Sequence, residues 1–147
     1  MKAILDELIG RYPALECCRE QISYAAEILV ESYSHDGKLL TAGNGGSAAD
    51  AEHIVGEMMK SFRLKKTLPE GYADALYATD PEMGSVLRTH LQGALPAIAL
   101  DGHISLSTAY MNDCEPLLCF AQQVNGYGRP GDVLLGISTS GNSRNVL

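Results

Sequence analysis

Three short apolar runs constrain the fold of this chain more than any other feature of its sequence. They span residues 38–42, 95–100 and 132–137, and each is followed by glycine or small polar residues. The second and third runs do not alternate polar with apolar side chains, which predicts strands covered on both faces, as in a parallel sheet. Helical patterns lie between the runs. We therefore predict right-handed βαβ crossovers and an α/β fold, a three-layer α/β/α sandwich.

Amphipathic helices are predicted before and between these strands. The longest apolar stripe runs from Leu15 to Tyr33 after Pro13, and Asp36-Gly37 is expected to end that helix. Further helices are predicted around residues 4–9, after residue 47, over 81–92 behind the cap Asp80, and over 115–126. We expect the helical segment 1–36 to lie outside an α/β core formed by residues 38–147, with the whole chain as a single domain.

Composition excludes several classes of function. The chain has 147 residues, of which 46% are hydrophobic, and 11 basic against 18 acidic residues give a net charge of −7. This balance argues against a nucleic-acid-binding face or a polybasic membrane patch. The sequence contains no apolar run of the length that a membrane span requires and no secretory signal, so a cytoplasmic protein is expected. The four cysteines match no zinc-ligand spacing and are expected to be reduced thiols.

A glycine-rich turn, Gly43-Asn44-Gly45-Gly46-Ser47, follows the first predicted strand and precedes a helix. It lacks the spacing of a dinucleotide-binding fingerprint and the lysine of a Walker loop, so neither nucleotide interpretation holds. Ligands of open parallel sheets bind beyond the carboxyl ends of the strands. We therefore expect this turn to present a helix N-terminus to an anion or a polar ligand oxygen.

A second polar loop follows the third predicted strand, with four hydroxyl side chains and a glycine within residues 138–143. Hydroxyls and backbone N–H groups can together bind a phosphate monoester without a basic residue in the loop. The alternative is that these residues only form a turn and cap the helix expected to start there.

His53 and Glu57 lie four residues apart on the helix predicted after the glycine-rich turn, about one turn beyond its ligand-facing end. Their side chains therefore project from one face of that helix. An imidazole and a carboxylate at this spacing can share a divalent metal, or one can orient the other for proton transfer. The alternative is an exposed polar pair without a function.

The two loops, in this order and with the helix of His53 and Glu57, resemble the SIS (sugar isomerase) phosphosugar-binding family, and within it the phosphoheptose isomerase branch. The resemblance extends from the first long helix to Leu147 and implies a flavodoxin-like fold. It implies aldose–ketose isomerisation of sedoheptulose 7-phosphate to a heptose 7-phosphate, through an enediol. It also implies a homotetramer whose sites are shared between subunits.

The resemblance assigns roles to individual residues of this chain. Glu57 would be the catalytic acid/base, and His53 and Glu57 would be part of a zinc site that is incomplete in this chain. Substrate contacts would come from the glycine-rich turn, from a residue pair in the loop after the second strand and from the hydroxyl-rich loop: Asn44, Gly45, Gly46, Ser47, Asn112, Asp113, Ser138, Thr139, Ser140 and Ser143.

Two departures from the family pattern qualify these assignments. The interval 63–93 is longer than in shorter members and contains an additional predicted helix, which could cover the site or shape an interface. The chain stops at Leu147, whereas family members continue through two further strands to a helix that supplies a glutamine and a histidine. We therefore expect an incomplete core, truncated after the third strand, and a fragment that is inactive by itself.

A second hypothesis belongs to a different class of function. Some relatives in the family resemble replication-initiator-associating proteins, which bind a phosphosugar or a protein partner without catalysis. The chain could be such a regulatory module. The presence of Glu57 beside His53 favours chemistry over binding alone.

Overall fold

The computed structural model describes residues 2–147 and contains a parallel sheet of three strands. The strands are β1 (Leu39–Gly43), β2 (Ala97–Ala99) and β3 (Val133–Ile137), in the spatial order β2-β1-β3. The register places Gly43 of β1 beside Ile137 of β3. The predicted parallel sheet is confirmed, and the loops after β1 and β3 leave the sheet from neighbouring positions.

The described residues contain seven α-helices. They are α1 (Lys2–Arg11), α2 (Arg19–Ser34), α3 (Gly46–Met59), α4 (Tyr72–Thr79), α5 (Pro81–His90), α6 (Ile104–Asp113) and α7 (Cys119–Tyr127). Short 3-10 helices at Pro13–Cys18 and Pro116–Leu118 precede α2 and α7. No helix among residues 2–147 has both the length and the apolar character needed to cross a bilayer.

Helices cover both faces of the central strand β1. Leu40 and Ala42 are buried against Leu100 and against Phe120 of α7. On the opposite face, the hydroxyl of Thr41 donates a hydrogen bond of 3.3 Å to the carbonyl of Ala51 on α3. Adjacent residues of a strand point to opposite faces, so α3 and α7 sandwich the sheet between them. The expected three-layer α/β/α arrangement is confirmed.

The third strand departs from the prediction that it is covered on both faces. Leu134 of β3 is 50% exposed and Leu135 is 36% exposed, whereas the side chains of β1 are buried. The difference follows from position, because β1 lies between two strands and β3 forms the edge of the sheet in the described part of the chain. The prediction that this apolar run forms a strand is confirmed, but the prediction that both faces of the strand are covered is wrong.

The beginnings of β1 and β3 are joined by an ion pair. Asp132 accepts a hydrogen bond of 2.9 Å from the backbone N–H of Lys38, and its other oxygen accepts from the Lys38 ammonium. The backbone N–H of Arg129 donates to the same carboxylate at 2.7 Å. These bonds, first among them that from the Lys38 side chain, hold the pKa of Asp132 below its usual value.

Helix boundaries differ from the predictions in three places. Pro13 begins a 3-10 helix rather than the long helix itself, which starts at Arg19. After α2, Asp36 and not Gly37 adopts the left-handed conformation, with φ of 60°. The chain after β3 was expected to begin a helix, but residues 138–147 form hydrogen-bonded turns, with the amides of Val146 and Leu147 both donating to the carbonyl of Ser143.

The long interval 63–93 contains two helices where the sequence predicted one. The predicted cap is confirmed, because the Asp80 carboxylate accepts hydrogen bonds from the backbone amides of Glu82 and Met83 at the start of α5. The second helix of the interval, α4, was not predicted, and it packs against α5. Before this pair, the Lys66 ammonium donates to the carbonyls of Glu57 and Met58, which places a positive charge at the C-terminal end of α3.

Candidate functional site

The glycine-rich turn directs the chain from β1 into α3 without side-chain bulk. A Cβ atom on Gly43 would lie 2.4 Å from the carbonyl oxygen of Ser47, so only glycine fits at the end of β1. Gly45 adopts φ of 58°, a conformation that favours glycine, immediately before the helix. Asn44, Gly45 and Gly46 are exposed, whereas Ser47 is buried in the first turn of α3. Three of the four predicted substrate residues of this turn are therefore accessible to a ligand.

The hydroxyls after β3 form a compact cluster. The Ser138 hydroxyl donates to that of Ser143 at 2.9 Å and lies 3.4 Å from that of Ser140. The backbone amide of Asn142 donates to Ser140 Oγ at 3.2 Å, and the amide of Ser143 donates to Ser138 Oγ at 3.4 Å. Thr139 and Ser140 are exposed, whereas Ser138 and Ser143 are half-buried. The loop therefore brings several hydroxyl groups close together, and their binding of an oxyanion stays a prediction.

A pair of asparagines connects the two loops. The Asn44 amide donates to the side-chain oxygen of Asn145 at 2.9 Å, and the Asn145 amide donates back to the side-chain oxygen of Asn44 at 2.9 Å. Asn145 was not among the predicted site residues. The only signal in the sequence was its side-chain amide, the same group that Asn44 carries. The pair shows that the turns after β1 and β3 lie side by side and are held together by their own side chains.

A cavity of about 210 Å³ lies beside this asparagine pair. Its polar lining comes from the end of β1, the segment after β2, helix α6 and the last turns of the chain: Gly43, Asn44, Gly45, Asp101, Ser107 and Asn145. Apolar side chains, including Met111 and Phe120, complete the wall. The cavity therefore opens at the carboxyl ends of the strands, where open α/β sheets bind their ligands.

Asp101 and Ser107 in this cavity were missed by the sequence analysis. Both carboxylate oxygens of Asp101 and the hydroxyl of Ser107 are buried and have no hydrogen-bond partner among the described residues. Burial raises the pKa of Asp101, and the nearby Glu52 carboxylate raises it further. One signal was available, since Asp101 directly follows the run 95–100 and so stands at the carboxyl end of a predicted strand.

Asn112 and Asp113 do not lie in a loop, as the resemblance had implied. They form the C-terminal end of α6, and the Asn112 amide donates to the Asp113 carboxylate at 2.7 Å. Both residues are exposed, and neither lines the cavity, although the preceding residue Met111 does. The correction arises because residues 104–113 fold as a helix that the sequence analysis did not predict.

The structure places His53 and Glu57 further from the ligand loop than predicted. At 1.5 Å per residue they lie about 10 and about 16 Å along α3 from its first residue, roughly two and three turns. His53 Nε2 is 3.7 Å from Glu57 Oε1, and the Lys60 ammonium approaches the same oxygen at 3.2 Å. Neither residue lines the cavity beside Asn44. The pair is confirmed as neighbours on one helix face, but this chain does not bring it to the two loops.

The pair forms only part of a zinc site. Catalytic zinc sites use three protein ligands and structural sites use four. Glu57 Oε2 is buried without a hydrogen-bond partner, which leaves it free to accept a cation. Among residues 2–147, however, no group of three or more His, Cys, Asp or Glu side chains could hold a metal ion. The described residues therefore do not form a zinc site by themselves.

Comparison with known proteins identifies the family. The model of the SIS domain matches residues 14–73. The phosphoheptose isomerase of Clostridium acetobutylicum is 39% identical over 127 residues, covering 86% of this chain and 52% of the relative. That of Alteromonas mediterranea is 39% identical over 148 residues, covering 100% of this chain and 62% of the relative. The chain thus spans between half and two thirds of the length of these relatives.

Solved structures agree with the sequence relatives. The phosphoheptose isomerase from Neisseria gonorrhoeae matches with a TM-score of 0.59 and 34% identity, and that from Francisella tularensis with 0.63 and 27%. Each match covers 97% of this chain and 65% of the solved chain. Sequence and fold therefore lead to one conclusion: the chain belongs to the SIS domain family, in which its relatives are phosphoheptose isomerases.

Proposed function

We propose that the whole protein is a phosphosugar isomerase that converts sedoheptulose 7-phosphate to a heptose 7-phosphate. The observation that carries the proposal is the junction of the two loops by Asn44 and Asn145 beside a cavity at the carboxyl ends of the strands. One loop is nearly free of side-chain bulk and the other presents hydroxyl groups. A sugar ester needs both properties, since its carbon chain must approach the backbone while its phosphate accepts hydrogen bonds.

The phosphate would be bound by the loop after β3 and the sugar by the turn after β1. Ser138, Ser140 and Ser143 already share hydrogen bonds, which their hydroxyls can redirect to phosphate oxygens. Thr139 is exposed beside them. Asn44, Gly45 and Gly46 would contact the sugar, and the exposed pair Asn112 and Asp113 would contact it if the substrate extends along the end of α6.

Isomerisation moves a proton between adjacent carbons. A base takes the proton from the carbon next to the carbonyl while an acid protonates the carbonyl oxygen, which gives an enediol. The proton then returns to the former carbonyl carbon as the neighbouring hydroxyl gives up its own proton and becomes the new carbonyl. We assign the base to Glu57, whose carboxylate has one buried oxygen without a partner. Because Glu57 lies about three turns along α3 from the ligand turn of its own chain, it would act on a substrate bound by a neighbouring copy.

This assignment requires an oligomer, and we propose a homotetramer with shared sites. In support, helix α2 exposes Tyr24, Ile28 and Val30, a set of large hydrophobic side chains that subunit contact would cover. His53 and Glu57 would be ligands of a zinc ion only if further ligands come from outside residues 2–147. A cytoplasmic location is supported by four free cysteines, since reducing compartments keep thiols unpaired.

The test incubates the full-length protein with sedoheptulose 7-phosphate, with and without zinc, and follows the aldose product by NMR. Glu57→Gln is expected to abolish turnover while phosphate binding persists. The matched control is Asp50→Asn, which removes an exposed carboxylate from the same helix and should leave turnover unchanged. Unchanged turnover in Glu57→Gln would remove its catalytic role. Binding of the sugar phosphate without any turnover by the full-length protein would favour the regulatory binding module instead.

A further inference from the structure

Three polar atoms in the cavity beside the asparagine pair have no hydrogen bond. They are the two carboxylate oxygens of Asp101 and the hydroxyl oxygen of Ser107, all buried and without a partner among residues 2–147. Buried polar groups are nearly always hydrogen-bonded in folded proteins, because an unpaired one retains the full cost of its desolvation. An ionised carboxylate is the most costly of these groups to leave unpaired. Two such residues in one cavity therefore point to a ligand that supplies their partners.

The chemistry of these atoms defines that ligand. A carboxylate only accepts hydrogen bonds, and its two oxygens can accept about four. The Ser107 hydroxyl both donates and accepts. On the other side of the cavity, each amide of Asn44 and Asn145 uses one N–H in the reciprocal pair and keeps a second. A chain of hydroxyl groups, which donate and accept in turn, matches this lining. Inorganic phosphate, which offers mainly acceptor oxygens and negative charge, does not match Asp101.

We propose that Asp101, assisted by Ser107, is a specificity-determining residue that accepts hydrogen bonds from the hydroxyls of the sugar's carbon chain. This inference rests on the proposed function, because it takes the ligand to be a polyhydroxylated phosphate ester. Recognition of the substrate is then divided between two parts of the site. The hydroxyl-rich loop after β3 binds the phosphate, and the cavity after β2 distinguishes a polyol from any other phosphate monoester.

The position of Asp101 supports this division. It is the second residue after β2, so it lies at the same edge of the sheet as the turn after β1. The cavity that it lines includes Asn44 and Asn145 but none of the residues 138–143. Asp101 therefore faces the ligand-binding edge without belonging to the hydroxyl cluster, and its removal should leave phosphate binding intact.

The test compares two ligands on the full-length protein by isothermal titration calorimetry. Asp101→Ala is expected to bind sedoheptulose 7-phosphate about tenfold to a hundredfold more weakly than wild type, since it loses hydrogen bonds to a charged group. Its affinity for inorganic phosphate should be unchanged. Ser107→Ala should show the same selectivity with a smaller loss. The matched control is Glu52→Gln, which removes an exposed carboxylate near Asp101 that does not line the cavity and should bind both ligands as wild type does.

The outcomes separate this inference from the proposed function. If wild type binds the sugar phosphate and Asp101→Ala binds it equally well, or loses both ligands to the same extent, the role of Asp101 is overturned while the proposed function stands. If wild type binds inorganic phosphate but shows no preference for the sugar phosphate, the proposed function fails and the inference fails with it. Asp101→Asn, which keeps the shape of the side chain, provides a second variant should Asp101→Ala not fold.

Discussion

Asn44 and Asn145 hydrogen-bond each other twice, at 2.9 Å in each direction, although 101 positions of the sequence separate them. Asn44 lies in the turn after the central strand, and Asn145 lies beyond the hydroxyl-rich loop after the edge strand. Backbone pairing ends at Gly43 and Ile137, so this side-chain pair continues the contact between the two strands beyond the sheet. The two loops that we propose bind one ligand are thereby held at a fixed separation.

We expect Asn145→Ala to weaken both the fold and phosphate binding. The variant loses two hydrogen bonds between partly exposed amides, which should lower the free energy of unfolding by about 1 to 2 kcal/mol. It also releases the loop after β3 from the turn after β1. Urea denaturation and titration with inorganic phosphate measure the two effects. The control is Asn125→Ala, on the exposed surface of α7. If the two variants have the same free energy of unfolding and the same affinity for phosphate, the asparagine pair does not hold the two loops together.

Ser138→Ala should reduce affinity for phosphate more than any other single hydroxyl deletion in its loop. Ser138 Oγ lies within 3.4 Å of the hydroxyls of both Ser140 and Ser143, so its loss removes the centre of the cluster. Loss of one hydrogen bond to a charged ligand corresponds to roughly a tenfold weaker affinity. Phosphorus NMR titration measures it. The control is Ser85→Ala on the exposed surface of α5, which should bind phosphate as wild type does. If Ser138→Ala binds phosphate as tightly as this control, the loop after β3 is not a phosphate site.

Stability should fall in acid partly because of Asp132. Its pKa is lower in the folded protein than in the unfolded chain, mainly through the hydrogen bond from Lys38. The stabilisation is therefore complete above the unfolded pKa of about 4 and is lost as the pH falls through the lower folded value. Asp132→Asn should be less stable than wild type by about 1 to 3 kcal/mol at pH 7. Thermal unfolding across pH tests this, and a difference that persists undiminished at the most acidic pH would contradict it.

The contribution of Asp101 to stability should change with pH in the opposite direction to that of Asp132. Burial raises its pKa in the folded protein, so its ionised form lowers stability at every pH above the unfolded value. Asp101→Asn should therefore raise the melting temperature at pH 7. The advantage should shrink as the pH falls below the unfolded pKa, where wild-type Asp101 is protonated in both states. A melting temperature at pH 7 lower than that of wild type would show that the carboxylate has partners in the free protein.

The strands and the polar loops after β1 and β3 could be predicted from the sequence because their signals are local. Apolar runs end at clusters of glycine or hydroxyl residues, and Asp80 before a proline is a strong helix cap. Helix α6 was missed for a local reason as well. Its serine and threonine residues favour turns and caps over helix interiors, and it has no clear apolar stripe. Asn112 and Asp113 were consequently expected in a loop.

The parts of the site that escaped prediction depend on contacts between distant segments. Asn145 gained its role only from the proximity of Asn44, and Asp101 gained its role from a cavity built by four segments of the chain. His103, which also follows β2, caps α6, where its ring nitrogen accepts from the backbone amide of Leu106. For His53 and Glu57 the spacing correctly predicted a shared helix face, but not the distance of that face from the ligand loop.

The most direct test titrates the full-length protein with sedoheptulose 7-phosphate and follows the backbone amide signals of both loops by NMR. If one ligand is bound by the two turns together, signals from residues 43–46 and from residues 138–143 should shift along a single binding curve. Inorganic phosphate alone should shift mainly the second set. Shifts confined to one loop at saturation with the sugar phosphate, or two curves with different affinities, would contradict a shared site.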